Sequence, residues 1–354
     1  MIFFSAHAPA PMRIFVRAAL TAAAITSVTQ PARAETVIRF SFDWKFEGTQ
    51  APFLVAFDKG YFRAEGLDVR FDSGVSAVDS INRLASGTHD MAFGDINILI
   101  RFRDQYPRMP IKTVFMIYNN PPYAIVARRS LGVTAPKDLE GKKLGAPAED
   151  SAYAQWPIFA QANNIDQSKV TIMNVGFSVR EAMLASGHVD AVTGLSFSSY
   201  INVKYINRKD GGVPQNDIVV LLMAHFGVSL YGNGIMVGPT FASENPEAVR
   251  GFLRAYLKGL KDAVKDPAAA IDSVLRRNNV ATKSLELERL QLALRDNVLT
   301  PEVQAKGFGA IDTARLDKAI EQISRAYPFK SGRPKAEDIF DSSFLPAESE
   351  RRAN

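Results

Sequence analysis

Three residues at the end of the first predicted strand have side chains that could recognise a small planar molecule. The stretch VIRFSFDW alternates apolar and polar residues as a strand does, and Trp44 ends it. A tryptophan in this position can stack its flat ring on a ligand. Glu47 and Gln50 follow in a short loop and could supply hydrogen bonds. The alternatives are a core tryptophan and two solvated loop residues, and the sequence leaves both open.

Further candidates stand where other predicted strands end, because open parallel α/β sheets bind ligands beyond the carboxyl ends of their strands. These positions are Gly74, Ser76, Gly94, Asp95, Ser151, Tyr153, Gly194 and Ser196. Backbone N–H groups at the capped helix starts near Ser76 and Ser151 can hold an anion without a basic side chain. For Asp95 the alternative role is that of a helix-capping carboxylate.

The sequence nominates no catalytic residue, no metal site and no cofactor. It contains no cysteine, which excludes disulfides, cysteine nucleophiles and cysteine-bound metals. Its four histidines have no metal-binding spacing, and there is no nucleophile elbow, phosphate-binding loop or dinucleotide fingerprint. Catalysis by a pair of carboxylates stays open, but no particular pair stands out in the sequence.

The first 34 residues are typical of an export signal. Arg13 and Arg17 precede an apolar stretch at 18–28 that is too short to span a bilayer, and the small-residue pattern ARA ends at Ala34. The 42 lysines and arginines exceed the 37 acidic residues by five, and three of the arginines belong to this segment. We expect cleavage near Ala34, a periplasmic location and no binding to nucleic acid.

One short pattern occurs twice, one hundred residues apart. LASGTHDMAFGD begins at Leu84 and LASGHVDAVTGL begins at Leu184. Each copy follows a predicted capped helix, opened by a Ser-x-x-acid pair, and each runs into a predicted strand. Gly87 and Gly187 suit the ends of the helices. The repeat predicts two similar α/β lobes.

Strands that alternate with helices over both copies predict parallel β-α-β units. We expect lobe 1 to comprise residues 35–130 and 228–335, and lobe 2 residues 131–227. Residues 336–354 are expected to form a partly disordered C-terminal extension. Tyr123 and Tyr231 lie near the expected crossings between the lobes, where each could line a cleft or pack in a hinge.

Several longer stretches resemble one family. DWKFEGTQAPFLVAFDKGYFRAEGLDVRF, SGVSAVDSINRLASGTHDMAFGD, DLEGKKLGAP and EDIFDSSFLP are similar to periplasmic solute-binding proteins for thiamine-pyrimidine precursors, taurine, alkanesulfonates and nitrate. The resemblance covers essentially the whole chain after the leader. It implies a type II periplasmic binding fold, with the ligand held in a cleft that closes between two α/β lobes.

The resemblance also implies partners and a ligand class. It predicts a monomeric receptor that delivers a small solute to an inner-membrane ABC permease with its ATPase. The pyrimidine-binding branch carries asparagines and a histidine after Asp-Trp, whereas this chain has KFEGTQAP. The ligand is therefore expected to be a flat or acidic solute such as a pyrimidine, an aromatic acid or a sulfonate. The alternatives are a ligand sensor and an enzyme of the same fold acting on a small heterocycle.

Overall fold

The computed structural model describes residues 1–8, 10, 35–206 and 212–353. The chain divides into two compact units, Met1–Ala34 and Glu35–Asn354. The predicted export signal lies almost wholly outside the described residues, so its cleavage near Ala34 stays a prediction. Within the described ranges, no helix combines the length and the apolar character needed to cross a membrane.

The strands of the described residues form two five-stranded sheets. They are β1 Thr36–Ser41, β2 Leu67–Asp72, β3 Met91–Asp95, β4 Lys112–Met116, β5 Tyr123–Arg128, β6 Lys143–Ala146, β7 Thr171–Asn174, β8 Ala191–Leu195, β9 Ile218–Leu222 and β10 Asn233–Val237. The first sheet has the order β2-β1-β3-β10-β4 and the second has the order β7-β6-β8-β5-β9. In each sheet the fourth strand runs antiparallel to its neighbours, so the two sheets have the same layout.

Helices cover these sheets and connect their strands. They are α1 Ala51–Asp58, α2 Tyr61–Ala64, α3 Ala77–Ala85, α4 Ile96–Gln105, α5 Trp156–Ala162, α6 Arg180–Ala185, α7 Ser196–Tyr205, α8 Pro239–Glu244, α9 Pro246–Lys265, α10 Pro267–Leu275, α11 Lys283–Ala293, α12 Pro301–Lys306, α13 Thr313–Ala326, α14 Ala336–Ile339 and α15 Glu348–Arg351. A π-helical segment, Leu294–Val298, continues α11.

The apolar core follows the two-lobe layout. Phe40 of β1, Phe53 of α1 and Phe252 of α9 are buried in the cluster of the first sheet. A second cluster reaches across both sheets and includes Tyr123 of β5 and Met236 of β10. The core is therefore continuous where the chain crosses from one sheet to the other.

The repeated pattern has the same structural role in both lobes. Asp90 accepts a hydrogen bond of 2.8 Å from the backbone N–H of Arg39, and Asp190 accepts one of the same length from the backbone N–H of Lys143. Gly87 has a φ of 71° and its counterpart in the second copy is similar, so both turns use the left-handed region that favours glycine. Each copy thus ends a helix and aligns the following strand with its parallel neighbour.

The two predicted helix caps have different outcomes. The hydroxyl of Ser76 accepts a hydrogen bond from the backbone N–H of Asp79, as predicted for the start of α3. The second cap, predicted at Ser178 with Glu181, is wrong because α6 begins at Arg180 and has no side-chain cap. The Glu181 carboxylate accepts hydrogen bonds from the neighbouring Arg180 guanidinium instead.

The structure corrects two of the expected boundaries. Ending the first part of lobe 1 at residue 130 assigns β5 to lobe 1, but β5 pairs with β8 and β9 and belongs to the second sheet. The chain therefore crosses between residues 117 and 122, and it returns between 223 and 232. Residues 336–353 of the expected disordered extension pack on the first lobe, where Arg351 is buried and donates to the carbonyl oxygens of Lys306 and Phe308.

Close packing of α9 against α1 generates a first prediction. A Cβ atom at Gly259 would collide with the carbonyl oxygen of Pro52 and lie 2.7 Å from the Cβ of Ala56. We expect Gly259→Ala to lower the free energy of unfolding by about 1–3 kcal/mol because α9 must move away from α1. Thermal unfolding followed by circular dichroism measures the change.

Gly251→Ala on the same helix is the matched control. Its Cβ would lie 3.3 Å from the Cβ of Glu65, so a shift of only a few tenths of an ångström relieves the contact. Alanine has the higher helix propensity, by about 1 kcal/mol, so this variant should keep or exceed the wild-type melting temperature. Equal melting temperatures for the two variants would contradict the steric argument.

Candidate ligand-binding cleft

A cavity of about 630 Å³ lies between the two sheets and takes its lining from both lobes. The first lobe contributes the loops that follow β1 and β2 and the start of β10. The second lobe contributes the segment after β6, the start of α6 and the start of α7. Because both lobes supply walls, a rotation of one lobe against the other would change the shape of the cavity.

Aromatic rings form much of its apolar surface. Trp44 of the first lobe meets Phe177 of the second edge to face, with ring centroids 5.1 Å apart. Deeper in the cavity, Tyr118 lies 5.3 Å from Phe197 and 5.5 Å from Phe93. Trp44 is only half-buried, so part of its surface remains open to the cavity. These rings suit a flat, partly apolar ligand.

The polar part of the lining is acidic. Four carboxylates line the cavity, those of Asp43, Glu47, Glu149 and Asp150. Arg180 is the only basic side chain among the described residues that line it. It is almost fully buried and is held by two carboxylates: it lies 2.6 Å from Glu181 and 3.4 Å from Asp150. Its charge is therefore largely neutralised within the protein.

Asp43 and Asn233 both line the cavity and are hydrogen-bonded to each other. The side-chain amide of Asn233 donates a hydrogen bond of 2.6 Å to the Asp43 carboxylate, which fixes the orientation of the amide. The Oδ1 atom of Asn233 is buried and has no hydrogen-bond partner among the described residues. Burial raises the pKa of Asp43 to about 7, with a smaller contribution from the charge of Asp95. A ligand that donates hydrogen bonds would satisfy both residues.

The loop that carries Glu47 and Gln50 is fixed from behind by α11. The Glu286 carboxylate accepts a hydrogen bond of 2.6 Å from the backbone N–H of Gly48, and any Cβ at Gly48 would collide with the Glu286 carbonyl. Within the loop, Gln50 accepts from the backbone N–H of Glu47 and from the hydroxyl of Thr49. The loop is thus a rigid 3-10 turn that holds its polar groups at the cavity wall.

Ser76 makes a direct hydrogen bond between the lobes. Its hydroxyl donates to the Glu149 carboxylate at 2.6 Å while accepting from the backbone of α3. On the other side of this segment, Asp150 accepts from the hydroxyl of Thr193 at 2.5 Å and from the backbone N–H of Ala152 at 3.1 Å. The second-lobe wall is therefore tied both to its own sheet and to the first lobe.

Five of the thirteen residues predicted from the sequence line this cavity. They are Trp44, Glu47, Gln50, Ser76 and Ser151. Their contact with a ligand stays a prediction. The other eight are not among the residues that line it.

The three glycines fill places with no room for a side chain. A Cβ at Gly74 would collide with the Phe42 carbonyl, and one at Gly194 would collide with the Ser199 hydroxyl. At Gly94 a Cβ would lie 2.9 Å from the Ser80 hydroxyl. These glycines permit close packing beside the cleft rather than lining it.

Asp95 and Tyr123 satisfy each other inside the protein. Asp95 is fully buried and caps α4 by accepting from the backbone N–H groups of Asn97 and Ile98. The Tyr123 hydroxyl donates to the same carboxylate at 2.6 Å. The capping alternative for Asp95 is therefore the one observed, and this buried group sits at the crossing between the sheets.

Tyr231, Tyr153 and Ser196 also lie outside the cavity. The Tyr231 hydroxyl donates to the Glu302 carboxylate at 2.5 Å, and the Arg315 guanidinium lies 4.0 Å from its ring centroid. Tyr153 lines a separate cavity of about 1540 Å³ between α4 and the segment before α5. Ser196 begins α7, and its backbone N–H donates to the Pro122 carbonyl.

Sequence reasoning missed several residues of the lining. Asn233 is the first residue of the antiparallel strand β10, so it is the amino end of this strand that reaches the cavity. The rule that ligands bind at the carboxyl ends of parallel strands therefore does not select Asn233. Phe177 and Arg180 follow β7, where that rule would have selected them. Despite the acidic lining, no group of three or more potential ligands is arranged to hold a metal within the described residues.

A family model described as NMT1/THI5 like matches residues 48–270. The riboflavin-binding protein RibY of Chloroflexus aurantiacus is 29% identical over 307 residues, which are 84% of this chain and 83% of that protein. The formylaminopyrimidine-binding protein of Halalkalibacterium halodurans is 27% identical over 324 residues, 90% of this chain and 93% of that protein. Similarity also extends to an enzyme, the 4-amino-5-hydroxymethyl-2-methylpyrimidine phosphate synthase of Aspergillus parasiticus, at 25% identity over 66% of this chain and 69% of the enzyme.

Solved structures confirm the predicted fold. The periplasmic aliphatic sulphonate binding protein SsuA from Escherichia coli superposes with a TM-score of 0.67 at 11% identity. The match covers 88% of this chain and 94% of SsuA. The two α/β lobes with a cleft between them therefore have the fold of a periplasmic binding protein.

The raised pKa of Asp43 generates a second prediction. The pKa is about 7 in the folded chain against an ordinary 3.8, so the folded state holds this proton more tightly than the unfolded state. The contribution of Asp43 to stability is therefore lost as the pH rises from about 4 to about 7. Asp43→Asn keeps an acceptor for Asn233 but does not titrate. We therefore expect its free energy of unfolding to rise relative to that of wild type between about pH 4 and pH 7, and the difference to stay constant above pH 7.

Denaturant unfolding of both proteins at several pH values measures this difference. The contributions of all other titrating groups are the same in both proteins and cancel when the two free energies are subtracted. Glu149→Gln is the matched control, because Glu149 is an exposed carboxylate of the same cavity. A difference between wild type and Asp43→Asn that does not change with pH would contradict the raised pKa.

Proposed function

The chain belongs to the NMT1/THI5-like family, and from this premise we propose that it is the exported substrate-binding receptor of an ABC importer. Two relatives that match most of the length of this chain are named as binding proteins. A cleft lined by both lobes supports the proposal, because closure over a ligand gives a permease with its ATPase a distinct shape to recognise. We propose that the receptor acts as a monomer in the periplasm.

The lining favours a planar nitrogen heterocycle that is neutral or cationic and donates hydrogen bonds. One observation carries this choice: the lining of a cavity walled by aromatic rings includes four carboxylates, whose oxygens accept hydrogen bonds. An anion such as a sulfonate or nitrate would meet four carboxylates and an arginine that is already paired. Of the flat and acidic ligands considered from the sequence, we therefore propose the flat, donor-rich class, which includes flavins and aminopyrimidines.

We propose binding without turnover. The chain has no cysteine, and no histidine is among the described residues that line the cavity. General acid–base chemistry on a heterocycle is served best by a titrating group whose hydrogen-bond partner can relay a proton, and the side chain that donates to Asp43 is the Asn233 amide. Conversion of a bound pyrimidine during incubation would support the enzymatic alternative instead.

A thermal-shift screen of residues 35–354 tests the ligand class. The panel contains riboflavin, lumichrome and aminopyrimidines, with alkanesulfonates, nitrate and aromatic carboxylates as the contrasting set. A ligand present at about 100 times its Kd stabilises the folded state by about 2.7 kcal/mol, which raises the melting temperature by several degrees. We expect shifts from the first group only. Shifts confined to the anions would contradict the proposed class.

Trp44 is expected to contribute to affinity through stacking. Replacing Trp44 by alanine removes the aromatic surface that the cavity presents beside Phe177, so binding of the ligand identified in the screen should weaken by about 1–3 kcal/mol. Trp44→Phe keeps a flat ring and is the matched control, with a smaller loss. Isothermal titration calorimetry measures both. Unchanged affinity of a folded Trp44→Ala variant would reject the stacking role.

A further inference from the structure

Helix α11 of the first lobe contacts α7 of the second lobe through a buried arginine. The Arg289 guanidinium is only 2% exposed. It donates to the carbonyl oxygen of Phe197 at 3.3 Å, to the hydroxyl of Ser198 at 3.1 Å and to the side-chain oxygen of Asn202 at 3.2 Å. All three acceptors belong to α7, so one side chain of the first lobe holds the first two turns of a second-lobe helix.

The same guanidinium is bound to carboxylates of the first lobe. It lies 3.0 Å from Glu286, which fixes the backbone of the loop at Gly48, and 3.4 Å from Glu47. Glu47 lines the ligand cavity. Arg289 thus stands between a cavity carboxylate and α7, although it is not itself among the residues that line the cavity.

A second ion pair strengthens the contact farther along the same helices. Lys204 of α7 lies 2.5 Å from the Glu288 carboxylate of α11, and the Tyr205 hydroxyl donates to the same carboxylate at 2.8 Å. Lys204 and Asn202 are remote from the cavity lining. They therefore allow the contact between α7 and α11 to be weakened without altering a residue that lines the cavity.

The position of this contact makes it relevant to lobe movement. Within the described residues, the strands of the two sheets are connected at residues 117–122 and 223–232, and α7 and α11 meet outside both crossings. A lobe rotation that separates α7 from α11 has to break the bonds made by Arg289 and Lys204. Breaking them costs free energy, and this cost favours the closed arrangement before any ligand binds.

We propose that Arg289 is a positioning residue that couples the ligand cavity to lobe closure, by holding Glu47 in the cavity wall and α7 of the opposite lobe with one guanidinium. The contact between α7 and α11 sets the population of the closed state and thereby the affinity, since a receptor that is less often closed binds more weakly overall. The inference rests on the proposed receptor function and adds the residue through which closure is controlled.

The first test measures the distance between the lobes without ligand. The chain lacks cysteine, so cysteines introduced at Glu247 of α9 and Lys169 of the second lobe, both with largely exposed side chains, take spin labels specifically. Double electron–electron resonance then compares wild type, Asn202→Ala/Lys204→Met and Arg289→Met. We expect longer and broader distances in both variants, because each loses bonds that hold α7 to α11.

Controls separate closure from folding. Ser199 lies on α7, and its hydroxyl has no hydrogen-bond partner among the described residues, so Ser199→Ala should keep the wild-type distances. Arg289→Met removes a cation from two buried carboxylates and can unfold the chain, although Glu47 keeps Lys45 and Glu286 keeps the backbone N–H of Gly48. The double variant on α7 keeps those pairs, so it gives the decisive result, with circular dichroism confirming its fold. Wild-type distances in the folded double variant would overturn the proposal.

Riboflavin binding, followed by quenching of its fluorescence, is the second readout. In the double variant we expect its Kd to rise about three- to tenfold, mainly through faster dissociation, as weakened pairs of this kind imply. An unchanged Kd would count against coupling. If wild type does not bind riboflavin, the proposed ligand class loses support, while the ligand-free distances still decide whether Arg289 and its contacts hold the lobes together.

Discussion

Four carboxylates that line one cleft between two lobes impose the constraint on which the cleft depends. Burying a negative charge is costly unless a cation or several hydrogen-bond donors lie beside it. Each of the four carboxylates has a different set of such partners. Asp150 has Arg180 and the Thr193 hydroxyl, and Glu149 accepts from Ser76 across the cleft. Glu47 lies between Lys45 and Arg289. Asp43 accepts from the side-chain amide of Asn233 and has no cation beside it among its described hydrogen-bond and ion-pair partners, and its burial raises its pKa to about 7. The placement of the loops, the lobes and α11 follows from these pairings.

The two copies of the repeated pattern separate what builds a lobe from what a ligand meets. Residues that are identical in the two copies, such as the Asp before each strand and the Gly at each helix end, have equivalent structural roles in both lobes. Residues that differ between the two copies change the chemistry of the cleft. The last residue of β3 is Asp95, which caps a helix in the core, whereas the last residue of β8 is Leu195, which lines the cavity. The repeated pattern therefore builds the same scaffold in both lobes but does not give them the same binding surface.

Much of the fold could be predicted from the sequence because its signals are local. Alternation of strands with capped helices identified both lobes, and the rule for parallel strand ends selected Trp44, Ser76 and Ser151. The remainder depends on contacts between distant segments. Asn233 enters on an antiparallel strand, and Asp95 turns away from the cleft because Tyr123, contributed by a strand of the other sheet, satisfies it. Arg289 is 242 positions from Glu47, and no local pattern links the two.

An acid that titrates near neutrality inside the cleft connects solute capture to the surroundings of the protein. A ligand that donates a hydrogen bond to Asp43 meets a full negative charge in a mildly alkaline medium and a neutral carboxyl group in an acidic one. Capture of such a ligand would therefore weaken as the surrounding medium becomes acidic, because the negative charge that attracts the donor is lost.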